Sequence, residues 1–403
     1  MNFSKLLATL VLVYITSFLH AQLVVYQENC NCGVTYAGYS TGMGSGSGSF
    51  QVYIEPGSTI KKAFVLTYRI GHPPIANFLL NLNTIVFDTT IFFSTFDHKN
   101  PYASPQYLLY KDVTNLINPS VINYNITIPN QFGLPINWSE WSFCLYIVYE
   151  NPILAKTTAN IVVNTQKLLG FESYHINNLN PIDISYPTSF SIYTDRTGPQ
   201  FIPNCYIHFN NNLLGTIGGS DNVNSAWNYA GVKGHFYYQN NQLFGLDDDT
   251  PDAIMGGTDG LADVSSYLPS NATSCIFELK DINFPNQPVD GTNVNLAYFL
   301  TYTTPCDTFS TSLLTEDTTV CMGNTVQLGA SGGNTTLSKP AYEWLPQKDL
   351  SCYDCPNPVF SGDSSRVYTV RIWNTDSCSV VRPVRVKVLP TPQFTSISVL
   401  PTA

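Results

Sequence analysis

Ser142-Phe143-Cys144-Leu145-Tyr146-Ile147-Val148-Tyr149 is the longest and most apolar of the strand-like runs in this chain, and it stops at the turn dipeptide Asn151-Pro152. Eight residues rich in aromatic and β-branched side chains, ended by a turn signal, read as a strand central in a sandwich. Similar runs lie on both sides. Phe64-Val65-Leu66-Thr67-Tyr68-Arg69-Ile70 is one, and Thr84 to Phe87 and Thr90 to Phe93 come next, parted by Asp88-Thr89. Asn160 to Val163 begins another. Past Tyr186 come Cys205 to Phe209, His235 to Tyr238, Cys275 to Leu279 and Leu296 to Tyr302. Tyr110 to Ile117 has the pattern of a short helix, but no long segment has helical period. Many short strands with Gly, Pro and Asn turns between them imply an all-β fold of tandem β-sandwiches.

Composition narrows the setting. Of 403 residues only 11% are charged, against roughly 25% in an ordinary soluble domain. The polar surface is therefore built from Asn, Ser, Thr, Gln and Tyr. Net charge is −10, and 311–403 carries seven acidic and seven basic side chains, so the whole excess lies in front. No basic stripe exists, which argues against nucleic acid and against an anionic membrane surface as partners. At the start, Lys5 precedes the apolar run 6–19 and then His20-Ala21-Gln22. This reads as a signal peptide, 1–21, cut after Ala21. No later stretch reaches about 18 consecutive apolar residues, so no transmembrane segment is expected. Ten cysteines suit the oxidising compartment that such a signal implies.

The strand blocks divide the remainder into 22–175, a β-sandwich, and 176–310, a second sandwich packed on the first. A third block, 311–390, is small, with one Trp that would face the core, Trp344, and flanking cysteines. These suit an immunoglobulin-like sandwich. A linker, 391–403, comes last, beginning in Thr391-Pro392.

The third block carries an ordered string: Cys321-x-Gly323-Asn-Thr-Val-Gln-Leu-x-Ala330, Tyr342-x-Trp344-x-Pro346, Leu350-Ser-Cys352-x-x-Cys355-Pro-Asn-Pro358, Tyr368-Thr-Val370, and Cys378. In this it resembles the PKD-like, immunoglobulin-type repeats of secreted surface proteins of the Bacteroidetes. The front resembles an uncharacterised β domain of bacterial surface proteins through 57–64, Tyr110-Lys-Asp112-Val113-Thr114 and Ile147-Val-Tyr-Glu-Asn-Pro152. The resemblance implies type IX secretion directed by a C-terminal sorting domain, which this chain does not display, and a place at the outer cell surface or beyond.

Candidate chemistry is sparse. Asp247-Asp248-Asp249-Thr250-Pro251-Asp252, with Asp259 and Asp263, is the densest acidic cluster. Carboxylates so close repel one another unless a cation screens them, so Ca²⁺ on Asp247, Asp249, Asp252, Asp259 and Asp263 is the candidate metal site, weighed against a solvated acidic loop. It is not an EF-hand, because Asp252 stands where that loop needs Gly and Thr258 where it needs Glu. Cys352-Tyr-Asp-Cys355 has redox or zinc spacing, but lacks a βαβ setting and a second ligand pair, so a small disulfide loop is the reading. Cys321 precedes the first clear strand of the block and Cys378 the last, so a Cys321–Cys378 bridge is expected beside Cys352–Cys355. Cys30 and Cys32 are too close to bridge each other comfortably, and the fifteen pairings of the remaining six cysteines stay open. No histidine falls in a zinc or triad pattern. A carboxylate pair of glycosidase type leaves no local spacing and stays open. The expected role is a non-enzymatic, exported adhesin or structural surface protein whose ligand is a surface glycan or protein. The alternative is a carbohydrate-binding component of a secreted polysaccharide-degrading system.

Overall fold

The computed structural model describes residues 22–40, 46–70, 76–87, 90–94, 106–128, 142–164, 171–193, 205–216, 235–239, 242–246, 262–281, 297–306, 311–315, 317–332, 340–373 and 378–391. Among them there is no α-helix: the chain is all-β, with two single turns of 3-10 helix. It forms two compact units. The front unit is Met1–Thr308 with Asp376–Val380; the rear unit is Phe309–Thr375 with Val381–Ala403.

The front unit's strands begin with β1 (Gln22–Ser40), β2 (Gly46–Gln51), β3 (Thr59–Ile70), β4 (Ala76–Leu80), β5 (Asn83–Phe87), β6 (Thr90–Ser94) and β7 (Gln106–Asp112). Next come β8 (Asn123–Ile128), β9 (Ser142–Glu150), β10 (Lys156–Asn164), β11 (Phe171–Ile176), β12 (Thr188–Tyr193), β13 (Cys205–Phe209) and β14 (Asn212–Thr216). The last are β15 (His235–Gln239), β16 (Gln242–Leu246), β17 (Ala262–Asp263), β18 (Cys275–Asp281) and β19 (Ala297–Thr303).

β1 is shared between two sheets. Its first half pairs with β10, in the order β1-β10-β19-β12-β17, and its second half with β9, in the order β1-β9-β3-β7-β6. The β15–β16 hairpin adds to β1 at Val34–Tyr36. Two four-stranded sheets, β2-β8-β4-β5 and β11-β18-β13-β14, complete the unit.

Alternation along the strands sorts the side chains into layers. Ala37, Val65, Ile147 and Tyr149 share one core with Phe50, Phe78, Ile85 and Ile126 of the β2-β8-β4-β5 sheet. Val162, Phe190, Tyr298 and Leu300 share another with Tyr174, Phe209 and Phe277. The opposite faces of the two inner sheets meet each other. Phe299 lies 4.7 Å from the ring of Tyr36 and 4.9 Å from that of Tyr146. Tyr146 and Thr301 share a buried hydroxyl hydrogen bond of 3.1 Å. All seven residues of β19 are buried as a result. Antiparallel sheets commonly keep one face wet; here β19 and the stretch Cys144 to Tyr149 of β9 are buried on both faces. That accounts for part of the scarcity of charge, since an ion on either face of these strands would need a buried partner.

The sheets do not divide at 175/176. The first half of β1 pairs with β10, β10 with β19 and β19 with β12, while the hairpin at 235–246 pairs with the same stretch of β1 that pairs with β9. Strand runs fix a strand's existence but leave open which neighbour it pairs with. The helical pattern at Tyr110 to Ile117 resolves into the end of β7 and a 3-10 turn, Thr114–Leu116. Asp112 Oδ1 accepts from the Thr114 main-chain N–H at 2.9 Å, which turns the chain before a helix can propagate.

The rear unit holds β20 (Thr311–Leu313), β21 (Thr318–Cys321), β22 (Val326–Gln327), β23 (Ala330–Gly332), β24 (Ala341–Leu345), β25 (Val359–Phe360), β26 (Arg366–Trp373) and most of β27 (Ser379–Leu389). β20 pairs with β23 and β22 with β25; β24, β26, β27 and β21 form the other layer, with β21 parallel to β27. This is an immunoglobulin-like sandwich. Trp344 is fully buried at its centre, and its indole N–H donates to Cys355 O at 2.8 Å.

Candidate functional site

The solvent side of the β2-β8-β4-β5 sheet is the front unit's clearest candidate surface. Phe50, Tyr124, Ile126, Phe78, Leu80, Ile85 and Phe87 point into the core. The alternating positions therefore point outward. On β2 these are Ser47, Ser49 and Gln51; on β8 Asn123, Asn125 and Thr127; on β4 Asn77 and Leu79; on β5 Thr84 and Val86. None of these ten is charged. They stand in cross-strand rows: Ser47 opposes Thr127, with their hydroxyls 2.9 Å apart, Ser49 opposes Asn125, and Gln51 opposes Asn123. At the turn between β4 and β5, Asn81 Oδ1 accepts from the Asn125 N–H at 2.8 Å and holds the exposed Leu82 at the rim. Such a face offers amide and hydroxyl groups on a rigid plane and brings no ion whose desolvation would oppose binding. Depletion of charge is the compositional mark of interface centres.

Of the expected calcium ligands, Asp247, Asp249, Asp252 and Asp259 lie outside the described residues. Asp263 is exposed at the end of β17, where its Oδ1 accepts main-chain N–H groups of Thr188 (3.1 Å) and Ser265 (3.0 Å). Its visible work is to fix that strand pair. Among the described residues no group of three or more His, Cys, Asp or Glu side chains is placed to hold a metal.

Cys352 bridges Cys355, the pairing expected of that loop. The other two bridges differ from the expectation: Cys306 bridges Cys378, and Cys30 bridges Cys32. The expected Cys321–Cys378 bridge is absent, and Cys321 is an exposed thiol. The strand register explains it. Cys321 sits opposite Leu389, at the far end of β27. Cys378 precedes the start of that strand, about 35 Å away at 3.3 Å per residue, whereas bridged Cα atoms lie within about 7 Å. Cys30 and Cys32 share one face of β1 with Cα atoms 5.1 Å apart, inside the bridging range.

Beside Cys378 lies a buried polar cluster that sequence reasoning missed. Ser379 Oγ donates to Gln27 Oε1 (2.7 Å), and the Ser379 N–H donates to Asn180 Oδ1 (2.7 Å). Asn180 Nδ2 donates to Ser379 O and to Thr158 Oγ1, both at 3.1 Å. Gln27, Thr158, Asn180 and Ser379 are each fully buried. Asn, Ser and Thr are so common in this chain that no local signal marks these four. The buried thiols of Cys144 and Cys275 have pKa values raised by desolvation, so neither is poised as a nucleophile.

No protein-family model matches the chain, and no curated protein matches it. Among solved structures it is similar, at 7% identity and a TM-score of 0.16, to fibronectin(III)-like modules of Clostridium thermocellum CbhA, over 58% of this chain and 86% of that one. It is similar at 7% and 0.17 to the N-terminal eight immunoglobulin domains of Down Syndrome Cell Adhesion Molecule, over 86% and 49%. A titin I-band fragment, I67-I69, gives 7% and 0.15 over 88% and 99%. No helix among the described residues is long and apolar enough to cross a membrane.

Proposed function

We propose that this chain is an exported cell-surface adhesin or structural surface protein that presents a binding face on stacked β-sandwiches. The observation that supports the reading most is the uncharged outer face of β2-β8-β4-β5, carried on a unit whose central strand β19 is buried on both faces. Rigidity in the scaffold lowers the entropy lost on binding. The ligand is a surface glycan or a protein of the outer surface, and the acidic 247–263 segment takes Ca²⁺ as a structural ion. Without charge on the face, affinity should be nearly independent of salt. A glycan array probed with the full chain, with and without Ca²⁺, tests the reading. Binding that survives high salt and falls at least about tenfold, the loss of one or two hydrogen bonds, in an Asn123→Ala/Asn125→Ala variant is expected. Binding untouched by those substitutions would move the site elsewhere.

The rival reading, a carbohydrate-binding component of a polysaccharide-degrading system, shares the same face. It gains if the ligands are plant or storage polysaccharides rather than surface glycans, and if release of reducing sugar accompanies binding.

A further inference from the structure

The Cys306–Cys378 bridge has a place in the chain that its covalent role as a staple does not explain. Its two cysteines belong to the front unit, and they stand immediately before the chain enters the rear unit and immediately before β27. The rear-unit segment Phe309–Thr375, with β20 to β26, lies between them. Only β27 and the residues C-terminal to it lie outside the loop.

We propose that the bridge is a mechanical shunt: tension between the front unit and the chain beyond β27 runs along β27, passes through the Cys306–Cys378 bond and bypasses Phe309–Thr375, which holds every other strand of the rear unit. The proposal rests on the surface-protein reading for its physiological sense, because only an anchored protein is pulled from its ends. The geometry stands apart from that reading. A pull along β27 reaches Ser379 first, which is held by its side chain and both main-chain groups to Gln27 and Asn180. It then reaches the Cys378 sulfur and crosses to Cys306, at the end of β19 in the inner sheet. The 72-residue span between the cysteines bears no tension by that route. Cys306 and Cys378 are 3% and 5% exposed, so a thiolate in solution does not reach the bond while the front unit is folded. The segment Phe309–Thr375 can therefore open and refold under tension without lengthening the protein by its own contour.

Single-molecule stretching of the full chain from its two termini tests this. After complete unfolding of the oxidised protein, addition of a dithiol should give a discrete elongation of about 240 Å, the 72 residues released at 3.3–3.6 Å each. In that step the dithiol supplies two electrons and two protons, becomes a cyclic disulfide, and leaves two cysteine thiols. A Cys306→Ser/Cys378→Ser variant should lack the step and start that much longer; a Cys321→Ser variant should keep it. A step of about 190 Å, the Cys321–Cys378 span, or no step at all, would overturn the proposal. Failure of the glycan array leaves the step unchanged, so the two readings fail separately.

Discussion

Replacing Asn180 by Ala removes four hydrogen bonds at once: two accepted by its Oδ1, from the Ser379 N–H and Oγ, and two donated by its Nδ2, to Ser379 O and Thr158 Oγ1. The Thr158 hydroxyl can turn toward another acceptor, but the two main-chain groups of Ser379 cannot. Both sit in a fully buried environment. Each buried group left without its partner costs about 1–3 kcal/mol, so the substitution should destabilise the front unit by about 3 kcal/mol. That is roughly a hundredfold in the folded-to-unfolded ratio. For a unit of this size it corresponds to about 5 °C in melting temperature. Ser379→Ala is the informative contrast. It deletes only the hydroxyl, shared between Gln27 Oε1 at 2.7 Å and Asn180 Oδ1 at 3.3 Å, and leaves the main-chain bonds to Asn180 in place, so it should cost about 1 kcal/mol. Urea titration of the full chain followed by circular dichroism measures both, with the front-unit transition fitted separately because two units need not unfold together. Asn177→Ala, on an exposed neighbour, should fall within about 0.5 kcal/mol of the parent. An Asn180→Ala effect no larger than that of Asn177→Ala would show that the cluster does not hold this segment.

Trp344→Ala should cost the rear unit about 3–5 kcal/mol, from a fully buried indole and its bond to Cys355 O, read as an earlier rear-unit transition in the same titration. A Cβ at Gly33 would fall within the ring of Tyr149, so Gly33→Ala should cost about 1–3 kcal/mol by overpacking, and a neutral result would refute that close approach. Burial raises the pKa of Cys144, Cys275, Tyr146 and Tyr302 in the native state. The unfolded chain then releases protons that the native state keeps. Stability is accordingly complete below about pH 8 and falls above about pH 9, by about 1.4 kcal/mol per pH unit for each group past its unfolded pKa; a profile flat to about pH 11, beyond the unfolded pKa of both residue types, would refute it. Iodoacetamide on the native protein should modify Cys321 and spare Cys144 and Cys275. If 247–263 holds Ca²⁺, the melting temperature should rise from chelator to millimolar Ca²⁺, and identical values would remove the ion from the account.

The class of the fold is legible in the sequence because its signal is local. Ser142 to Tyr149 runs apolar on both faces, which leaves a central strand as its reading, and β9 occupies those residues between β1 and β3. Trp344 faces the core as its place in a small sandwich implies. Pairing partners are not legible, since β1 changes sheet partway along and nothing in Asn29 to Cys32 announces the exchange. The bridge at Cys378 escapes the sequence for a related reason. Strand order alone suggests that Cys321 and Cys378 begin neighbouring strands, whereas the parallel register sets Thr318 against Val386 and carries Cys321 past the far end. Asn180 and Ser379 are separated by 199 residues, and a two-residue polar contact at that distance leaves no periodic trace.

The scarcity of charge is where sequence and structure bear on function together. From composition, an uncharged polar surface is a correlate of extracellular β-proteins and nothing more. The stacked sheets supply a cause for part of it: β19 and most of β9 are buried on both faces, so neither could carry an ion without a buried counterion. That cause does not reach the outer side of β2-β8-β4-β5. Ser47, Ser49, Gln51, Asn123 and Asn125 are exposed, and Lys or Glu there would meet water at no desolvation cost. Where strand ends of the neighbouring sheet reach water, the protein uses charge: Lys61 pairs with Glu150 and Lys62 with Asp112. Burial therefore accounts for neutrality inside and not for neutrality on this face, and a neutral face on an exposed sheet is what a surface selected to lie against a partner would retain.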